Sequence, residues 1–151
     1  MGAPPQRRYA RTMNGVQIAL QGLKEAASSI TTDHEKRSII RASEALFWAA
    51  ALDEQSNPNQ RHPLAPATAM ARNAVAHGVV ICGAVRDGLT WPLVWPLKWV
   101  DFTWAPTQAV LAGLSRPVKR STVELYETEL AGKSVSETLV SLVRWYEERI
   151  G

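Results

Sequence analysis

Cysteine is almost missing from this 151-residue chain: Cys82 stands alone. That excludes an internal disulfide framework and a Cys-based zinc site, and it suits a reducing cytoplasm. Long apolar runs are missing too. The richest stretch, Leu89 to Val100, is broken by Pro92, Pro96 and Lys98, well short of the roughly 18 uninterrupted apolar residues of a spanning helix. Met1 to Arg11 carries Arg7, Arg8 and Arg11 but no apolar core of an export signal. It reads as a basic flexible leader over 1–11, ahead of one helical domain over 12–151. Carboxylates do not cluster, and there is no His-Glu-x-x-His pair, so neither a metal nor a cofactor is expected. Charge of one sign is scarce as well: 17 Lys and Arg against 14 Asp and Glu leave a net charge of +3. Such a weak bias is compatible with an anionic partner without demanding one. A cytoplasmic protein with no membrane partner is the expectation.

What is present is helical periodicity. Val16, Leu20, Leu23, Ala27 and Ile30 form one apolar stripe. Asp33 to Gln55 reads as a second helix, with Thr32 and Glu35 as its capping box and Ile39, Ala42, Leu46, Ala49 and Leu52 facing inward. Ser56 to Pro66 has three prolines and two asparagines and reads as a loop. Pro66 then suits the first turn of a third helix running to about Arg86. Further on, Ser121 with Glu124 and Ser134 with Glu137 look like capping pairs, and Gly132 looks like a stop between them. Leu139, Leu142, Val143, Tyr146 and Ile150 complete the last stripe. No segment alternates long enough to argue a sheet, so the fold class is all-α.

Four of the six tryptophans, Trp91, Trp95, Trp99 and Trp104, crowd into one short segment. Pro92 and Pro96 are incompatible with a continuous helix there. The segment is expected to be irregular and to lie between the third helix and the C-terminal helices, with a short helix from Pro106 to Leu114 after it. Two readings stay open: a stacking platform for nucleic-acid bases, or packing over the bundle or a subunit interface. Packing is the favoured one.

Residues 70–81 read MARNAVAHGVVI. On a helix, Asn73 and His77 lie roughly 40° apart and can touch, while Arg72 lies roughly 140° from His77 but is long enough to fold back. Flanked by Met70, Ala74 and Ile81, His77 is expected on or beside the packed face. A helix that buries an imidazole, a guanidinium and an amide needs polar partners, a ligand or a subunit interface. The plain alternative is a hydrogen-bonded core histidine beside a solvated arginine.

The string Arg72-Asn73-x-x-x-His77, with Gly78 next, resembles the signature of HEPN domains, whose motif is Arg, four to six residues, then His, commonly with Asn after the Arg. The resemblance implies an antiparallel helical bundle, dimeric, and often a metal-independent ribonuclease acting as a toxin or in defence against phage. It implies catalytic roles for Arg72, Asn73 and His77. RNA brings its own nucleophile, the 2′-hydroxyl. An imidazole titrating near neutrality could move the protons, Arg72 could neutralise the phosphorane, and Asn73 could orient the ring or hold a phosphate oxygen. One chain supplies one imidazole, and a two-fold homodimer with the motif near its axis would supply two. The partners expected are therefore RNA, a second copy, and an antitoxin or regulatory protein. The alternative function is a non-catalytic helical dimer that binds nucleotides or another protein.

The remaining groups carry weaker expectations. His34 and the loop residue His62 are expected in solvent. Arg116, Lys119 and Arg120 are expected to be neutralised by the Glu-rich helix after them. Cys82 is expected to be a small buried apolar residue.

Overall fold

A computed structural model describes residues 14–85 and 101–150. The leader over 1–11 and Trp91, Trp95 and Trp99 lie outside the described residues. The described chain is mostly helical: α1 (Gly15–Ser28), α2 (Glu35–Gln55), a 3-10 turn (Pro58–Gln60), α3 (Ala65–Ala76), α4 (Thr107–Ala112), α5 (Arg120–Glu129) and α6 (Val135–Ile150). None of these helices is long and apolar enough to cross a membrane.

α1 packs on α2 and α6, and α3 packs on α2 and α5. The apolar stripes meet as the periodicity predicts: Leu23, Ala42, Leu46, Ala49, Leu52, Leu139 and Leu142 are all buried. Small residues let the helices approach, since Ala19, Ala26, Ala45, Ala67, Ala71 and Ala74 also have almost no exposure. Asn14 and Gln17 form a reciprocal capping box at the start of α1, at 2.9 and 3.2 Å. The expected box at α2 is not made. His34 holds the N-cap position without a side-chain bond, and it is exposed, as expected. The turn is tied instead by buried Ser38, which accepts from the Thr31 N–H at 2.9 Å and donates to the Thr31 carbonyl at 2.6 Å. Likewise α5 begins at Arg120, one residue before Ser121. Glu124 is taken by Arg120 at 2.9 Å rather than by a backbone N–H. At α6, Ser134 accepts the Glu137 N–H at 3.4 Å, and Gly132 sits in the left-handed region between α5 and α6.

The third helix is shorter than expected. It stops at Ala76, about ten residues before Arg86, because Gly78 adopts φ +82°. Its N–H donates to the Val75 carbonyl at 2.9 Å, and the Val79 N–H donates to the Ala74 carbonyl at 3.0 Å. This pair of bonds is a Schellman stop, favoured by glycine because it lacks a Cβ. Beyond it the chain is extended, and a small sheet forms where the sequence pattern argues for none. β1 (Cys82–Val85) pairs antiparallel with β2 (Asp101–Trp104), Cys82 opposite Trp104 and Val85 opposite Asp101. β2, Asp-Phe-Thr-Trp, does alternate, with Phe102 and Trp104 buried. Four residues is the shortest run in which alternation argues a strand, however, and β1, Cys-Gly-Ala-Val, shows none.

Trp104 is the largest fully buried side chain, and its indole N–H donates to Thr138 Oγ1 at 3.0 Å. Its backbone joins β2 to the turn before α6: its N–H donates to the Lys133 carbonyl at 3.0 Å, and its carbonyl accepts from the Gly132 N–H at 3.1 Å. This tryptophan is packing, in line with the favoured reading. Trp104→Ala should lower unfolding free energy by about 3–5 kcal/mol, the usual cost of deleting a large buried aromatic. Urea denaturation read by far-UV circular dichroism checks it; a loss under about 1 kcal/mol would count against the assignment.

Candidate functional site

The Schellman stop decides where the motif lies. His77 is the C-cap residue of α3 rather than a mid-helix residue, and it is exposed. The expectation that it lies on or beside the packed face is therefore corrected: the face of α3 that packs carries Ala67, Met70, Ala71 and Ala74. Asn73 is exposed as well. Its side-chain oxygen accepts from Arg72 Nη2 at 3.2 Å, so its observed partner is the neighbouring guanidinium.

His77 and Asn73 line a cleft of about 620 Å³ with Met70 on one side and the segment joining α4 to α5 on the other. That segment contributes Arg116 and Lys119, with Thr122 from the first turn of α5. Among the described residues, no carboxylate lines it. Among the described residues, the expected self-neutralisation is seen for Arg120, through Glu124. Arg116 and Lys119 bring two cations to the same cleft as the imidazole and the amide, a combination suited to a phosphate. The two sides are held together by Gly113 at the end of α4. A Cβ there would fall 1.9 Å from Val79 Cγ2, so only glycine lets the turn after His77 sit this close.

Arg72 goes elsewhere. One of its guanidinium nitrogens lies 3.5 Å from Glu54 on α2, and it lines a second cavity of about 490 Å³ with Asp53, Arg61 and His62. Within one chain, then, Arg72 and His77 face different cavities, separated by Asn73. The five-residue step from Arg72 to His77 leaves them about 140° apart around a helix axis, which is why they reach different sides.

No protein-family model, no curated protein and no solved structure matches this chain.

His62, expected in solvent, is instead buried. Its ring meets Trp145 of α6 edge-on at 5.0 Å between centroids, and its Nδ1 accepts from the Leu64 N–H at 3.0 Å. Trp145 also donates to the Gln60 carbonyl at 3.0 Å and carries the Arg149 guanidinium over its ring. The proline-rich loop is thereby clamped onto α6, where burial and then Arg149 hold the His62 pKa below its ordinary value. Nearby, burial pushes Asp53 up to about 6, helped by Glu54 and opposed by Arg61 and the His62 backbone N–H. Cys82 is buried, as expected, and burial pushes its thiol up to about 12. Among the described residues, no three His, Cys, Asp or Glu side chains gather as metal ligands do.

The two shifted groups oppose each other in pH dependence. Unfolded His62 takes a proton near pH 6.5 and the native residue resists it, so stability falls as pH drops through that value. Native Asp53 holds its proton up to about 6 and the unfolded residue only up to about 3.8. Its contribution therefore favours folding at low pH and is fully lost once pH has risen through about 6. His62→Phe should lose less stability than wild type between pH 7 and pH 5. Asp53→Asn should gain most relative to wild type above pH 6. Thermal melts of the three proteins from pH 5 to 8 test both signs.

Proposed function

We propose that the chain is a metal-independent endoribonuclease of the HEPN type, working as a two-fold dimer in a toxin or phage-defence role. One observation carries the reading: an exposed imidazole at a helix end shares a cleft with an amide, two cations and no carboxylate. A phosphodiester fits that lining by charge, and an imidazole at its mouth is the group that proton transfer needs. The reaction joins the 2′-oxygen to phosphorus and breaks the bond to the 5′-oxygen. The 2′-hydroxyl proton goes to a base, and the departing 5′-oxygen takes one from an acid. The products are a 2′,3′-cyclic phosphate and a free 5′-hydroxyl.

His77 serves as one of the two proton-transfer groups, and His77 of a second copy would serve as the other. Arg116 and Lys119 hold non-bridging oxygens, and Asn73 orients phosphate or ring. Arg72 lies one side chain away. It would join the reacting phosphate on leaving Glu54, a weak exposed partner, or would reach a cleft formed across the two-fold axis. Regulation by an antitoxin-like protein belongs to the same proposal. The alternative is a non-catalytic dimer that binds nucleotides, and the contact of Arg72 with Glu54, away from His77, is what favours it.

Incubation with total RNA in EDTA separates the two. Wild type should cleave and leave cyclic-phosphate ends, while DNA should survive because it lacks the 2′-hydroxyl. His77→Ala should cut cleavage by about 10²–10⁴-fold, Arg72→Ala by a similar factor, and Arg116→Ala should mainly weaken RNA binding. Persistence of cleavage in His77→Ala would remove His77 from the chemistry and overturn this site, and RNA binding without any cleavage by wild type would leave the non-catalytic module.

A further inference from the structure

The cavity on the far side of Arg72 has a composition unlike the phosphate cleft. Its described lining carries two guanidiniums, Arg61 and Arg72, two carboxylates, Asp53 and Glu54, and the apolar Pro58 and Pro63. Asp53 Oδ1 is sealed from solvent and has no hydrogen-bond partner among the described residues. A carboxylate oxygen in that condition represents an unmet hydrogen-bonding demand. The final torsion of an Asp side chain is soft, so the carboxylate can turn toward a donor entering the cavity. The two guanidiniums disfavour a cationic ligand, and the two carboxylates disfavour an anion. A neutral, flat group with adjacent N–H donors on one edge and acceptors on another satisfies both, and apolar walls suit its faces.

We propose that this second cavity is a nucleobase site selective for guanine, with Asp53 accepting from the N1–H and N2–H edge and one of the two arginines donating to O6 and N7. Guanine alone among the four RNA bases offers a carboxylate two neighbouring N–H donors. Cytosine and adenine place an acceptor beside their amino group, and uracil places its one N–H between two carbonyls. Arginine paired with O6 and N7 is a common base contact. At neutral pH Asp53, at about 6, is mostly ionised and able to accept both bonds.

The 3.2 Å bond from Arg72 to Asn73 joins the site to the first cleft. A nucleotide with its base beside Asp53 can therefore direct its sugar and phosphate over the α3 ridge toward His77. This last role, setting the base beside the cleaved bond, rests on the ribonuclease reading; base binding itself does not.

The test is titration of the full chain carrying His77→Ala with the four nucleoside 5′-monophosphates, read by calorimetry. The phosphate is common to all four, so differences report the base. Guanosine monophosphate should bind at least about tenfold more tightly than the other three, as a bidentate base contact discriminates. Asp53→Asn should abolish that preference, and Ala69→Leu, which fills the cavity and leaves every charged group in place, should do so independently. Equal affinity for all four nucleotides, or a guanine preference that survives both substitutions, would overturn the proposal. If guanine preference holds while wild type leaves RNA intact, the base site stands and the ribonuclease reading falls. If wild type cleaves RNA but no base preference is seen, the ribonuclease reading stands and the base site falls.

Discussion

The turn at Gly78 governs how the surface around α3 is built. A helix continuing past His77 would have kept the imidazole on a helical face and carried Ile81 and Cys82 around the axis with it. The left-handed glycine instead satisfies two carbonyls at the end of α3 and sends the chain out as β1, with Ile81 and Cys82 buried. His77 is left exposed at the corner. Because Val79 sits against Gly113 with no room for a Cβ between them, the corner is fixed next to α4 and the segment leading to α5. The cationic cleft is thus a consequence of how one helix ends.

α3 is a partition as much as a scaffold. Its alanine-rich face is committed to the core, and what remains is a narrow ridge whose residues project at different angles around the axis, about 100° per step. Asn73 and His77 belong to a cleft with Arg116 and Lys119 and no carboxylate. Arg72 belongs to a cavity where charges of both signs meet. The electrostatic difference between the two spaces is large although their walls are separated by one residue of helix. Phosphate chemistry suits the first, and recognition of a neutral polar ring suits the second.

The second cavity owes its shape to α6. Trp145 ties the proline-rich loop down through the Gln60 carbonyl and the edge of His62, with Arg149 over its ring. That tether buries a histidine and half-buries an aspartate, which is why both shift their protonation. Trp104 performs a similar service at the other end of the core, joining β2 to the start of α6 through its backbone and to Thr138 through its indole.

Local sequence is enough to dictate the helical class, the inward stripes of α1, α2 and α6, the loop from Ser56 to the start of α3, the short helix after Pro106 and the burial of Cys82. All of these rest on periodicity or backbone chemistry, which a linear string carries in full. The same string singles out Arg72, Asn73 and His77 as the unusual residues of α3. The stop at Gly78 is not legible in it, because an apolar run of Val79, Val80 and Ile81 reads equally well as helix or strand when only a few residues long. Three outcomes came from tertiary packing alone: Arg72 and His77 face different cavities, His62 is buried against Trp145, and Arg116 and Lys119 join His77 from more than thirty residues away. They depend on contacts between distant segments, and neither periodicity nor spacing encodes which distant side chain will fill a given space.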